Sequence, residues 1–170
     1  MRAISDKMKN GLNKQITAEF ESAYLYLDMA NCLEDRNFSG MARWFRLQAD
    51  EEKRHALKIN DYMLERGLVP DLGEIAAPRH QWSDEVALLE EAYHHECLVS
   101  NMIYDLVAQA MEDKDFATVS FLQWFVDEQV EEEEHSLEWL EKARLFGGNA
   151  AGLMILDGEM GKRTPEEEKK

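Results

Sequence analysis

The placement of helix breakers constrains this chain more than any other feature. Only three prolines occur, Pro70, Pro78 and Pro165, and the two internal ones share one stretch, residues 67–82, with Gly73. That stretch reads as a single long loop, because proline and glycine interrupt helical periodicity there. On its N-terminal side, residues 5–33 and 39–66 carry helix-compatible apolar spacing, and Asp35-Arg36-Asn37 with Ser39-Gly40 supply turn and cap chemistry between them. On its C-terminal side, residues 83–111 and 116–146 repeat the arrangement, with Ser83 as the expected N-cap and Gly147-Gly148 as the stop. Strand-like alternation is nowhere sustained, and segments of roughly thirty residues are long for globular helices, so the fold class is all-α. Short links make antiparallel hairpins of the first and last helix pairs. A loop of this length can run the whole bundle, which leaves helices two and three parallel and gives an up-down-down-up order with one long crossover. Leu153-Met154-Ile155-Leu156 predicts a short fifth helix. One domain is expected over residues 1–160, followed by a charged tail over 161–170, expected to be disordered and to fray from Thr164 onward.

Composition agrees with one soluble domain: 170 residues, 45% hydrophobic and 32% charged, suffice for a sizeable core. No apolar run approaches the ~20 residues of a membrane span, and Met1 opens a polar amphipathic stretch rather than a signal sequence, so the expected location is the cytoplasm. Cys32 and Cys97 stand far apart without Cys-x-x-Cys company, which suggests neither a disulfide framework nor a thiolate zinc site; both are expected to be buried and inert. The formal net charge of −16 repels nucleic acid and anionic lipid and leaves cations as the natural small partners. Charge sign alone also fits simple solubility, so position must carry the argument.

Position becomes informative when each inward face is traced at alternating steps of three and four. Helix one gives Met8, Leu12, Ile16, Glu19, Ala23, Tyr26 and Ala30; helix two gives Ala42, Phe45, Ala49, Glu52, Ala56, Ile59 and Met63. Helix three gives Val86, Leu89, Tyr93, Glu96, Ser100, Ile103, Val107 and Ala110; helix four gives Leu122, Phe125, Gln129, Glu132, Ser136, Trp139 and Ala143. Each stripe is interrupted by one glutamate. A single such acid is ordinarily a phase error, a snorkelling rim residue or half of an ion pair. Four together are different, since an unpaired ionised carboxylate in a dry core costs several kcal/mol and a domain is stable by only about 5 to 15. The four stripes contain no lysine or arginine, which leaves metal cations or shared protons as compensation. Oxygen-rich ligands with one imidazole suit iron or manganese, and four carboxylates imply two ions rather than one. Glu52-Lys53-Arg54-His55 adds a Glu-x-x-His pair one turn apart on a common face, able to chelate together.

These residues resemble the ferritin family over essentially the whole chain, from Leu12 through Gly147-Gly148 to Leu156-Asp157, and most closely the bacterial non-haem ferritins. The resemblance is carried by Glu19-Phe20-Glu21-Ser22-Ala23-Tyr24-Leu25-Tyr26, Asp50-Glu51-Glu52-Lys53-Arg54-His55, His95-Glu96, and Phe121-Leu122-Gln123-Trp124-Phe125-Val126-Asp127-Glu128-Gln129. It implies that Glu19, Glu52 and His55 bind a first iron, and that Glu52 bridges to a second held by Glu96 and Glu132. It further implies that Gln129 orients water or oxygen, that Tyr26 supplies an electron or hydrogen bond, and that Glu51, Glu128, Glu131 and Glu132 form a third, looser iron position. Helix four also contains Glu132-Glu133-Glu134-His135, a second Glu-x-x-His. Periodicity does not choose between an inward Gln129 and an inward His135; the resemblance at Glu128-Gln129 favours the former. Bacterioferritins place a haem-ligating methionine where this chain has Lys53, so no haem is expected, and the rubredoxin-like module of rubrerythrins has no cysteine pairs here.

The resemblance implies iron storage with ferroxidase activity. Fe(II) would be oxidised to Fe(III) by dioxygen or hydrogen peroxide and deposited as a ferric mineral inside a homo-oligomeric 24-mer shell. Hard oxygen donors favour Fe(III) and so make Fe(II) easier to oxidise. The competing expectations are a peroxide- or oxygen-consuming dinuclear iron or manganese enzyme without storage, as in manganese catalase-like bundles, and a metal-free interaction bundle whose acids are misphased.

Overall fold

The computed structural model describes residues 4–78, 81–147 and 149–165. Five helices follow one another: α1 Asp6–Asp35, α2 Ser39–Glu65, α3 Glu85–Glu112, α4 Phe116–Leu145 and α5 Ala150–Met160. No strand occurs among the described residues. Ser5 starts α1 by accepting from the Met8 amide at 3.1 Å, and Asp115 starts α4 by accepting from Thr118. Two expected caps shift. Asp84, not Ser83, caps α3, because its extended backbone lets the carboxylate accept from the Ala87 amide at 2.8 Å. Ser39 and Gly40 lie inside α2, whose N-cap Phe38 offers no side-chain bond; Asp157 of α5 caps that end instead, accepting from the Met41 amide at 2.8 Å. Gly148 lies outside the described residues, while Gly147 adopts the left-handed φ of +59° beyond α4.

α1 packs chiefly on α2 and α3 chiefly on α4, the two hairpins expected from the short links, with α1 against α3 and α5 across the ends of α2 and α4. The crossover can be followed bond by bond. Its amides at Asp71, Gly73 and Ala76 donate in turn to the side chains of Asn13, Thr17 and Glu21, so it climbs α1 in the direction α1 itself runs. At the top, Arg36 just beyond α1 donates to the Trp82 carbonyl and to Glu85, which seats the start of α3 beside the end of α1. The N-termini of α2 and α3 therefore share one end of the bundle, the up-down-down-up order with one long crossover. The opposite end is closed by Arg66 paired with Asp115 at 3.0 Å and by Ser5 donating to Asp113 at 2.5 Å.

Apolar side chains form two clusters. One, at the α5 end, gathers Tyr26, Met29, Phe45, Leu88, Leu140 and Leu156; the other gathers Leu12, Ile16, Ile59, Ile103, Leu122 and Phe125. The polar layer separating them is the candidate site. Cys32 and Cys97 are free and half-buried rather than fully buried. α5 is longer than the four apolar residues that announced it, and its backbone reaches α2 closely: a Cβ on Gly40 would stand 2.0 Å from the Asp157 carbonyl oxygen. Arg163, inside the stretch expected to be a disordered tail, is ordered against α2 by the contacts described below. Residues 166–170 of that stretch lie outside the described residues.

Candidate metal centre

One glutamate from each long helix reaches the polar layer, and all four are buried: Glu19 on α1, Glu52 on α2, Glu96 on α3 and Glu132 on α4. They converge with His55. One donor atom each of Glu19, Glu52 and His55 lies within 4.8 Å of the other two, and the same holds for Glu52, Glu96 and Glu132, so Glu52 is common to both groups. A third group of the same compactness combines His55, Glu128 and Glu132. The Glu-x-x-His spacing does on α2 what one helical turn allows: His55 Nδ1 lies 3.4 Å from Glu52 Oε2, with the ring wedged edge-on against Trp124 and Phe125.

A ring of neutral donors orients these acids. Gln15 donates to Glu19 Oε1 at 2.8 Å, and Gln48 donates to Glu52 Oε1 at 3.1 Å and Glu132 Oε2 at 2.6 Å. Tyr26 donates its hydroxyl to Glu96 Oε1, and Gln129 donates to Glu96 Oε2 and Ser100 Oγ, both at 3.2 Å. Behind Tyr26 the His95 ring sits edge-on at 5.8 Å, with Nε2 2.7 Å from Ser22 Oγ. The Ser22 hydroxyl proton is engaged by the Ala18 carbonyl, so the imidazole is the donor to Ser22. Glu19 Oε2 is buried with no donor among the described residues, facing the carboxylate of Glu52.

The electrostatics follow from this crowding. Burial, reinforced by a neighbouring carboxylate, pushes each of the four glutamates up to about 8: Glu52 beside Glu19, Glu132 beside Glu52, Glu52 beside Glu96 and Glu96 beside Glu132. Without a cation the cluster therefore holds protons at neutral pH. Burial and then Glu96 raise the Tyr26 phenol well above its ordinary range, which keeps it a donor. Burial lowers His95 to about 4, so its ring is neutral. Donors of this kind, hard oxygen with one imidazole and a buried carboxylate oxygen that no hydrogen bond satisfies, suit iron or manganese.

Of the remaining residues singled out in the sequence, Gln129 is buried in the layer while His135 is exposed. Glu128 is buried and belongs to the third group, whereas Glu131 is exposed and belongs to none. Glu51 is buried but stands apart from all three groups, engaged by Arg163 and by Arg54. Sequence reasoning passed over Gln15, Gln48 and Arg163. The two glutamines carried a signal, since both precede a stripe glutamate by four residues and so share its face. Arg163 carried none. It brings a cation to the cluster edge from outside the four stripes, where neither arginine nor lysine occurs.

Known proteins of the same shape are numerous. The ferritin-like domain model matches residues 9–146. A bacterial non-heme ferritin from Bacteroides fragilis (strain 638R) is 38% identical over 160 residues, covering 94% of this chain and 99% of the relative. A probable bacterial non-heme ferritin-like protein from Haemophilus influenzae is 34% identical over 158 residues, 93% of this chain and 96% of its own. Among solved structures, an open pore ferritin from the hyperthermophilic archaeon Archaeoglobus fulgidus superposes with a TM-score of 0.95 at 44% identity, covering 96% of this chain and 100% of that one. An engineered closed form of the same archaeal ferritin superposes at 0.92 with 46% identity, covering 95% and 99%. With the domain model spanning almost the whole bundle and relatives matched nearly end to end, this chain belongs to the ferritin family.

Proposed function

We propose that this protein oxidises Fe(II) at a dinuclear carboxylate site and stores the Fe(III) product as a mineral inside a shell of like subunits. The observation that carries the reading is the convergence of four buried glutamates, one per helix, on His55 in a layer whose negative charge bound cations or protons must compensate. In this reading Glu19 and His55 hold one iron, Glu96 and Glu132 hold the other, and Glu52, common to both groups, bridges them. Two Fe(II) ions held side by side give up one electron each to dioxygen, which becomes peroxide, or to hydrogen peroxide, which becomes water. The protons that leave the glutamates as metal enters are available to those products. Gln129 and Tyr26 act through Glu96: one donates to each of its oxygens, so the carboxylate keeps its position while its metal changes charge. The product leaves because monodentate and bidentate carboxylates exchange readily, and the many surface acids of a chain with net charge −16 suit a mineralising inner wall.

Stopped-flow absorbance after anaerobic Fe(II) loading of the assembled protein, followed by oxygen, tests the chemistry. Sedimentation of the iron-loaded product tests storage. Rapid oxidation with iron accumulating to many atoms per chain in a 24-subunit shell is expected. A monomer or dimer that turns over peroxide and never retains more than a few irons per chain would establish the non-storing dinuclear enzyme instead.

A further inference from the structure

Gln48 is buried and donates to two of the four cluster glutamates at once, to Glu52 Oε1 at 3.1 Å and to Glu132 Oε2 at 2.6 Å. The two acceptors stand on different helices, α2 and α4, and share one donor group with Glu96. A glutamine can serve both only with its NH₂ turned inward; flipped, it would aim a carbonyl oxygen at two carboxylates. Shape does not choose between these settings, because the two ends of an amide are nearly the same size. The far end of the amide chooses. Gln48 Oε1 accepts from Arg163 Nη1 at 2.6 Å, and a guanidinium offers donors alone, so only the oxygen can face it. Arg163 is itself fixed from several sides: it donates to Glu51, lies over the Trp44 ring at 4.7 Å, and has a side chain only 16% exposed. It arrives from beyond α5, which is seated on α2 by Asp157 accepting from the Met41 amide at 2.8 Å and by a close approach of Gly161 to Gly40.

We propose that Arg163 is a positioning residue for the carboxylate cluster, acting through Gln48: by fixing the amide it holds Glu52 of α2 and Glu132 of α4 in one setting, so that the seating of α5 governs how tightly the cluster binds divalent ions. The inference deepens the dinuclear reading above and rests on it. The guanidinium keeps its proton at any working pH, so the amide is held in the same sense throughout. Without it the amide is free to turn over, and two carboxylates lose the donor that orients them toward metal. Charge by itself predicts the opposite sign, since a cation removed from the edge of a cation site favours an incoming ion. The direction of the change in affinity therefore separates orientation from electrostatics.

The test is a calorimetric titration of the assembled, iron-stripped full-length protein with Zn(II), a redox-inert divalent ion, with the heats that persist in Glu52→Ala subtracted so that the cluster alone is read. Arg163→Met keeps an unbranched chain over Trp44 and removes the donor; it is expected to bind Zn(II) roughly 10-fold more weakly. Arg163→Lys, whose ammonium also offers donors alone, is expected to recover most of that loss. In a Gln48→Ala background Arg163→Met is expected to add no further loss, because the amide through which it acts is gone. Unchanged or tighter binding by Arg163→Met overturns the inference and leaves the dinuclear reading intact. A loss as large in the Gln48→Ala background as outside it also overturns the inference, since Arg163 would then act by another route. Heats in the unaltered protein no larger than those of Glu52→Ala overturn the dinuclear reading itself. Where Arg163→Met fails to assemble, Arg163→Leu carries the same expectation.

Discussion

Glu52 lies in two of the three compact donor groups, so its removal is expected to cost the site more than the loss of any peripheral acid. Glu52→Ala should slow initial Fe(II) oxidation by roughly 100-fold or more, whereas exposed Glu134→Ala should leave it unchanged, as read by stopped-flow absorbance. Gln48→Ala removes a donor shared by Glu52 and Glu132 and should weaken metal affinity by roughly 10-fold in the same titrations. Because burial holds the four glutamates near 8, metal entry at pH 7 must expel protons; titration with Zn(II) in weakly buffered solution should acidify it, and Glu96→Gln should reduce the proton yield. A titration that releases no protons would show the carboxyls already ionised. The carboxylates themselves were legible in the sequence because a charge on an apolar stripe violates the helical period at a countable position. Gln15 and Gln48 were not, since a neutral amide on a helix face is unremarkable until its partner is known. Arg163 was not legible at all: its contact with Glu51 spans 112 residues, and no periodicity links a residue beyond α5 to the middle of α2.

The helices were legible as far as local chemistry decides them. Proline and glycine placement gave four long elements and the crossover, and the ends moved by a residue or two where two cap residues compete, as Ser83 and Asp84 do at α3. What local chemistry cannot report is capping supplied by another element, and α2 is started by α5. Asp157→Ala is accordingly expected to cost about 1 kcal/mol of stability, a cap's usual worth, although Asp157 lies far from α2 in sequence. Gly40→Ala should be worse, because its Cβ would stand 2.0 Å from a backbone oxygen of α5 that has no freedom to rotate away. Thermal melts of both variants, with limited proteolysis after Met160, separate loss of the cap from release of α5. A Gly40→Ala protein as stable as the parent would mean that α5 is seated by its apolar face alone.

For the whole molecule the cluster makes stability depend on pH and on metal together. Each of the four carboxyls titrates near 4.5 unfolded and about 8 in the folded metal-free chain, so the folded state binds more protons throughout that window. The metal-free protein should therefore lose stability as pH rises from about 4.5 to about 8, with the loss complete above that. Divalent ions should restore it at pH 8. Melting temperatures across this range with and without Zn(II) check both signs, and Glu52→Gln should flatten the slope of the metal-free curve. Distribution of the acids, one per long helix, has a further consequence for biogenesis. The α1–α2 hairpin owns one donor group, Glu19, Glu52 and His55, but the group of Glu52, Glu96 and Glu132 needs α3 and α4 as well, so a half-docked chain lacks the paired arrangement. Two ions can sit side by side only after the last helix has closed on the other three, which makes uptake of the second ion a proofreading signal for finished folding.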